Sequence, residues 1–280
     1  MRHTVGRAFS NGVGLFYETM GDGPPLLLVN GLGISALGWE PEFLKSLAES
    51  YRVLTFDSRG TGRSDKPDCG YAIPEMVDDC LEVLDAEKIE WAHFLGASMG
   101  GRIVLHLAVT HPAKVKSQVI CCSNCGQREK ISLRGGTLNS QTLRAFFRRR
   151  TASRIDSGSL EFFFTKDFIE KNRERLEAHW RRVSEYPTPK EISEKQLEAT
   201  LTHRICKRLG EITAPTLVLG GDSDRLNPVE RLEELSAKIP KAQIHIYSGL
   251  GHGFMFEARE DVTHRILQFL DGIADSATNQ

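Results

Sequence analysis

Trp91-Ala92-His93-Phe94-Leu95-Gly96-Ala97-Ser98-Met99-Gly100 is the stretch on which the reading of this chain turns. A run of apolar and aromatic residues ends at a glycine. A small-residue turn follows and opens a helical pattern with apolar positions at Ile103, Val104, Leu107 and Ala108. Gly96-Ala97-Ser98-Met99-Gly100 has the form G-x-S-x-G. A serine at a tight strand-to-helix turn sits in a strained backbone conformation, so the residues two positions to either side must lack side chains for the chain to pass.

Working outward, three further runs read as buried strands: Leu26 to Asn30, ending at Gly31; Arg52 to Phe56, ending at Asp57; and Val115 to Cys121. Helical patterns lie between them near 38–49, 74–87 and 99–110, the last stopping at His111-Pro112. Short apolar runs separated by helix-length amphipathic segments predict βαβ crossovers and a mostly parallel sheet with helices on both faces. Ahead of them, Asn11-Gly12 between residues 7–10 and the alternating Val13 to Glu18 predicts a hairpin, an antiparallel edge before the parallel core.

The alternation breaks at about Gly126 and resumes at Thr216 to Gly220, followed by a helix near 228–238, a strand over 243–247 and a closing helix near 260–272. Between lie charged helical segments and the aromatic clusters Phe146-Phe147 and Phe162-Phe163-Phe164. The predicted organisation is therefore a core of 1–125 and 206–280 interrupted by a helical insertion, 126–205. Residues 126–205 carry 17 Lys and Arg against 11 Asp and Glu, a surplus of +6, which leaves −7 on the remainder. The whole-chain charge of −1 over 280 residues conceals that division.

Near-neutral charge gives no electrostatic case for a nucleic-acid partner. The stretch Arg144-Ala145-Phe146-Phe147-Arg148-Arg149-Arg150 reads as an amphipathic helix with a solvated basic face. The start of the chain lacks the apolar core of a signal peptide, and no run approaches the ~20 apolar residues of a membrane span. The expectation is a soluble cytoplasmic protein with no membrane partner. On that basis the six cysteines (Cys69, Cys80, Cys121, Cys122, Cys125, Cys206) are read as reduced thiols. Cys122-Ser123-Asn124-Cys125 has C-x-x-C spacing but no second pair, so no metal site is expected. No phosphate-binding glycine motif opens a helix, and no cofactor is expected.

A serine hydroxyl needs a neighbouring base, itself oriented by an acid, before it becomes a nucleophile at neutral pH. His252, in Gly251-His252-Gly253 just after the last predicted strand, is the candidate base. The other eight histidines lack that strand-end loop context. For the acid, the loop after strand 216–220 offers Asp222 and Asp224. Asp224 is preferred because it is far enough into the loop to turn towards a histidine arriving from the neighbouring strand, whereas Asp222 caps or braces the turn.

The order Ser98, Asp224, His252 together with the G-x-S-x-G turn resembles the α/β-hydrolase superfamily over essentially the whole chain. Phe56-Asp57-Ser58-Arg59-Gly60-Thr61-Gly62-Arg63-Ser64-Asp65 resembles that superfamily's turn after its fourth strand, and Gly251 to Glu257 resembles its histidine loop. Asp57 and Arg59 are accordingly turn-forming residues. The stretch Arg208 to Gly221 is similar to enol-lactonase-like and small carboxylesterase members. The resemblance implies an α/β-hydrolase fold with 126–205 as a lid, and an oxyanion hole formed by the backbone N–H groups of Leu32 and Met99. Where most relatives have His-Gly this chain has Asn30-Gly31, a departure that bears on loop geometry and not on a backbone donor.

Asn30, Gly31, Trp39, Phe146 and Phe163 are candidate pocket residues, Trp39 alternatively serving to anchor the first helix. The resemblance implies hydrolysis of a small carboxylic ester or lactone through an acyl-enzyme. Two other readings stay open: carbon–carbon bond hydrolysis of a diketone-like compound with the same triad, and a ligand receptor built on the same fold. Haloalkane dehalogenation and epoxide hydrolysis are disfavoured, because those relatives carry Asp where this chain has Ser98. Oligomeric state leaves no mark in the sequence.

Overall fold

In the structure, a computed structural model, residues 2–126 and 160–278 are described. Eight strands form one sheet: β1 (His3–Ser10), β2 (Val13–Met20), β3 (Pro25–Val29), β4 (Arg52–Phe56), β5 (Ala92–Ala97), β6 (Val115–Cys121), β7 (Thr216–Gly221) and β8 (Ala242–Tyr247). Their spatial order is β1-β2-β4-β3-β5-β6-β7-β8. β1 and β2 pair antiparallel, as do β2 and β4, while every pairing from β4 to β8 is parallel. The hairpin thus supplies the antiparallel edge, and the rest is a parallel sheet of the α/β-hydrolase kind.

A parallel sheet covered on both faces needs strands apolar on both sides. Alternate residues of β3 meet that demand, since Leu26 and Leu28 enter one core cluster and Leu27 and Val29 the other. One face is covered by α1 (Pro41–Ala48) and by the closing helix that begins at Arg259, through Phe43, Leu47, Val262, Ile266 and Leu270. The other is covered by α2 (Ile73–Ala86) and α3 (Met99–Thr110), through Met76, Val83, Ile103 and Leu107.

Between β6 and β7 the described residues form α4 (Lys166–Lys171), α5 (Arg173–Val183) and α6 (Lys190–Thr202). After β7 come α7 (Val229–Lys238), α8 (Phe254–Glu257) and α9 (Arg259–Thr278). The aromatic pair Phe146-Phe147 and the basic stretch 144–150 lie outside the described residues.

Two of the six cysteines are not the reduced thiols that their sequence context predicts. Cys125 and Cys206 form a disulfide, with Cα atoms 4.8 Å apart and 81 positions between them in sequence. Only Cys69, Cys80, Cys121 and Cys122 are free thiols. A separation of 81 positions hides this pairing from the sequence: Cys125 follows β6 where the chain returns towards β7, and Ile205 N–H donates to the Cys125 carbonyl at 2.9 Å.

The chain reverses sharply between β5 and α3. Ser98 has φ 55° and ψ −114°, a left-handed conformation that costs a non-glycine residue ~1–3 kcal/mol. A Cβ at Gly96 would meet the Gly100 carbonyl at 2.5 Å, and one at Gly100 would meet the Val29 carbonyl at 2.0 Å. The two glycines therefore let α3 lie against both β3 and β5.

The turn after β4 is fixed by buried ions. Arg59, 3% exposed, donates Nε and Nη2 to both oxygens of the equally buried Asp79 on α2 at 2.7 and 2.6 Å, and Nη1 to the Gly70 carbonyl at 2.6 Å. Asp57, 0% exposed, accepts from Ala36 N–H at 2.8 Å and from Arg63 N–H and Nε at 2.7 and 2.8 Å. These roles match the turn-forming reading of both residues.

Two stability outcomes follow from this packing. Asp79→Ala leaves the Arg59 guanidinium buried and unpaired and should cost about 3–5 kcal/mol in urea denaturation. Gly100→Ala must displace backbone and should cost more than ~4 kcal/mol, or prevent folding, whereas Gly210→Ala, with open space around it, should shift stability by less than ~1 kcal/mol.

Candidate active site

β3 and β5 are neighbours, while the chain continues from β3 to β4 on one side and from β5 to β6 on the other. The crevice at their carboxyl ends is the topological switch point where open α/β sheets bind ligands. Ser98 follows β5 there, and the loop Asn30-Gly31-Leu32-Gly33 follows the paired β3, with Val29 opposite Gly96. A Cβ placed on Gly31 would lie 3.4 Å from the Ser98 Cβ, so loop and turn are in contact.

Ser98 is held through its backbone. Its N–H donates to the Cys121 carbonyl at 2.9 Å, and its carbonyl accepts from the Ser123 hydroxyl at 2.6 Å. The side chain is left free of these tasks. Met99 begins α3, so its N–H is among the helix N-terminal donors without an intrahelical acceptor. Leu32 lies across the crevice, lining a second, smaller pocket together with Ser98 and Met99.

The β3 loop is braced from three directions. Asn30 donates Nδ2 to the Ser35 carbonyl at 2.8 Å and accepts the Gly31 N–H at 3.0 Å. Asp57 holds Ala36. Gln196, fully buried on α6, accepts the Gly33 N–H at 2.8 Å and donates to the Arg59 carbonyl at 3.2 Å. Asn30 thus does by side chain what the departure from His-Gly left open, and Gln196 ties the loop to the segment between β6 and β7.

Asp224, 4% exposed, sits in the loop after β7, and His252, 9% exposed, in the loop after β8. His252 Nδ1 donates to Asp224 Oδ2 at 2.7 Å, while Asp224 Oδ1 accepts the N–H groups of Leu226 and Asn227 at 2.7 and 2.9 Å. Asp222 instead accepts the Gly249 N–H at 2.7 Å and the Ser248 hydroxyl, bracing the turn after β8. Burial disfavours an imidazolium at His252, but the adjacent Asp224 carboxylate, with the Cys122 side chain, prevails and holds its pKa well above the ordinary value. With Nδ1–H committed to Asp224, the neutral ring keeps Nε2 as its acceptor.

Ser98 and His252 line one mostly apolar cavity of about 170 Å³. Asn30, Gly31, Leu32, Trp39 and Phe163 also line it, the Phe163 ring centroid 5.7 Å from that of His252. Of the candidate pocket residues only Phe146 is outside the described residues.

Sequence patterning gives no sign of Gln196 or Glu40, and it gives Cys122, His179 and Phe256 no place at the cavity, which all three line. The segment after residue 160 docks on the histidine loop through Gly253 N–H to the Phe163 carbonyl at 2.6 Å and the Thr165 hydroxyl to Glu257 at 2.7 Å. Arg175 on α5 grips Glu40 with Nε and Nη2, the closest contact being 2.7 Å. With Gln196 and Gly33 included, these partners are 90 to 163 positions apart in sequence, and no local pattern announces them.

Comparison with known proteins agrees with this geometry. The family described as "alpha/beta hydrolase fold" matches residues 24–258. A Caulobacter segnis protein named "Putative carbamate hydrolase RutD" is 32% identical over 256 residues, spanning 88% of this chain and 91% of its own. The crystal structure of the enol-lactonase from Burkholderia xenovorans superposes with a TM-score of 0.81 at 26% identity, covering 95% of this chain and all of its own. An esterase from Exiguobacterium antarcticum has a TM-score of 0.84 at 23% identity over 96% of this chain and all of its own, a likeness of fold. The match over most of the chain, on a sheet whose crevice carries the strained Ser98, identifies this protein as a member of the α/β-hydrolase family.

Proposed function

We propose that the protein is a serine hydrolase that cleaves a small carboxylic ester or lactone through an acyl-enzyme. The observation that carries the reading is the buried 2.7 Å contact between His252 and Asp224, with His252 and the strained Ser98 on one cavity. Ser98 Oγ attacks the substrate carbonyl carbon while His252 Nε2 takes its proton. Asp224 fixes the ring's tautomer and stabilises the imidazolium that forms. The developing alkoxide is received by the N–H groups of Leu32 and Met99, preorganised donors of a kind that contributes about 3–4 kcal/mol each. His252 then protonates the leaving oxygen, and a water activated by the same ring releases the acyl group.

The enol-lactonase likeness supports a lactone or ester, and the described part of the insertion, which brings Phe163, Phe164, His179 and Trp180 to the cavity, serves as its lid. The relative named for carbamate hydrolysis favours a second reading, in which the same nucleophile attacks a carbamate carbonyl. A panel of p-nitrophenyl esters, lactones and carbamates separates the two by kcat/KM.

Ser98→Ala should lower kcat for the best ester by about 10⁴-fold or more while leaving the circular dichroism spectrum unchanged. Retained turnover would refute the mechanism. Because the base must be neutral, kcat/KM should fall as pH drops through the His252 pKa, with the acid limb centred well above the ordinary imidazole value. Asp224→Asn removes the carboxylate that favours the charged ring, so the limb should move to lower pH while kcat falls by about 10⁴-fold.

A further inference from the structure

The smaller pocket adjoins the main cavity at the nucleophile. Its volume is about 50 Å³, it shares Leu32, Ser98 and Leu226 with the larger cavity, and Arg102, Asn124 and Thr200 give it polar walls. The acyl-enzyme mechanism uses the backbone N–H groups of Leu32 and Met99 beside it and gives the space itself no part.

Arg102, in the first turn of α3, is 3% exposed. Both terminal nitrogens of its guanidinium are held by residues of the same wall: Nη1 donates to the Thr200 carbonyl, and Nη2 to Asn124 Oδ1 at 2.6 Å. Nε has no hydrogen-bond partner among the described residues, yet it is not sealed inside protein as the unpartnered Nε atoms of Arg182 and Arg265 are. Part of the small exposed surface of Arg102 is therefore at Nε, and the pocket is the cavity that this side chain lines.

Carbonyl oxygens satisfy hydrogens without neutralising a charge. Of the three buried arginines among the described residues, Arg59 pairs with Asp79 and Arg231 with Glu234, and Arg102 alone has no carboxylate. Buried charges are ordinarily paired. Burial, with Arg204 and Arg231 nearby, lowers the Arg102 pKa to about 9, which still leaves the guanidinium charged at pH 7. The cation is also fixed in place: Asn124 Oδ1 accepts the Gly126 N–H at 2.9 Å, and Asn124 Nδ2 donates to Asn227, whose own N–H bonds Asp224.

We propose that this pocket is an anion subsite in which Arg102 receives a carboxylate of the substrate, while the apolar part of the same molecule occupies the larger cavity and the scissile carbonyl lies between them at Ser98. This rests on the serine-hydrolase reading and narrows its substrate class to esters or lactones that carry a free carboxylate a few bonds from the carbonyl. Size agrees with that occupant. At roughly 10–15 Å³ for each water-sized group, the pocket holds about three or four of them, the size of a carboxylate with its neighbouring carbon. A carboxylate also matches the planar donors of a guanidinium and supplies the counter-ion that the wall lacks.

The test uses monobenzyl esters of malonic, succinic and glutaric acids, each against the benzyl ester in which a carboxamide of the same shape replaces the free acid. A second series places the acid or amide on the alcohol side, as hexanoyl esters of hydroxy acids of increasing length. With turnover followed in a pH-stat, the wild-type kcat/KM at one chain length should favour the carboxylate by about ten- to hundredfold. Arg102→Met keeps the aliphatic stem, removes the charge and should bring that ratio to unity or below. Arg102→Lys keeps the charge but loses the planar fork and should retain only a fraction of the preference, so the series stays decisive even if Arg102→Met does not fold. A purely structural Arg102 would alter both members of a pair together and leave the ratio unchanged. The same pairs, titrated calorimetrically into Ser98→Ala, give the preference as a ratio of Kd values without any turnover. A carboxylate preference in binding that falls in the Arg102 variants supports the subsite even if the catalytic reading fails. Equal binding of acid and amide at every length, or a preference that the Arg102 variants leave whole, overturns the subsite even if Ser98-dependent hydrolysis stands.

Discussion

The left-handed turn at Ser98 is the constraint around which the rest of the molecule is arranged. A side chain at φ 55° is tolerated only where neighbours hold it, and here β5, α3, β3 and β6 all do. Gly96 and Gly100 let the helix approach the sheet, the Cys121 carbonyl takes the Ser98 N–H, and Ser123 takes its carbonyl. The strain is local and the compensation is spread over four elements. That distribution gives the serine a fixed direction without spending its hydroxyl on structure.

The sheet was legible because burial on both faces writes itself into each strand. Leu26 to Val29 and Leu217 to Leu219 are apolar in succession, Val53 to Phe56 is buried throughout with Thr55 its one polar residue, and the strands fall within a residue or two of where those runs predict them. Loops at strand ends were legible for a related reason: glycine and aspartate cluster where the chain must turn, which brought Ser98, Asp224 and His252 to notice. Their convergence was not legible from spacing, since Asp224 and His252 meet only because β7 and β8 are adjacent and parallel.

What the sequence hid is the traffic between the core and the segment that follows β6. Gln196 looks like any polar residue of a charged helix, yet it is fully buried and bonds both the β3 loop and the turn after β4. Arg175 reads as one more surface cation and instead grips Glu40 at the cavity. The basic surplus of 126–205 is therefore not all solvated: Arg175 is turned inward against Glu40 and Arg182 against the Trp39 carbonyl.

The disulfide gives that segment a particular topology. Because Cys125 and Cys206 stand 4.8 Å apart at their Cα atoms, the 80 residues between them begin and end at nearly one point, just beyond β6 and ten residues before β7. To β6 and β7 the connection is a link of about a dozen residues closed by the disulfide, whatever lies between the two cysteines. Its length and sequence can drift without changing how far apart those strands must lie. Selection can thus rewrite the segment that brings Phe163, Phe164, His179 and Trp180 to the cavity while the strand-end loops that carry Ser98, Asp224 and His252 stay where they are.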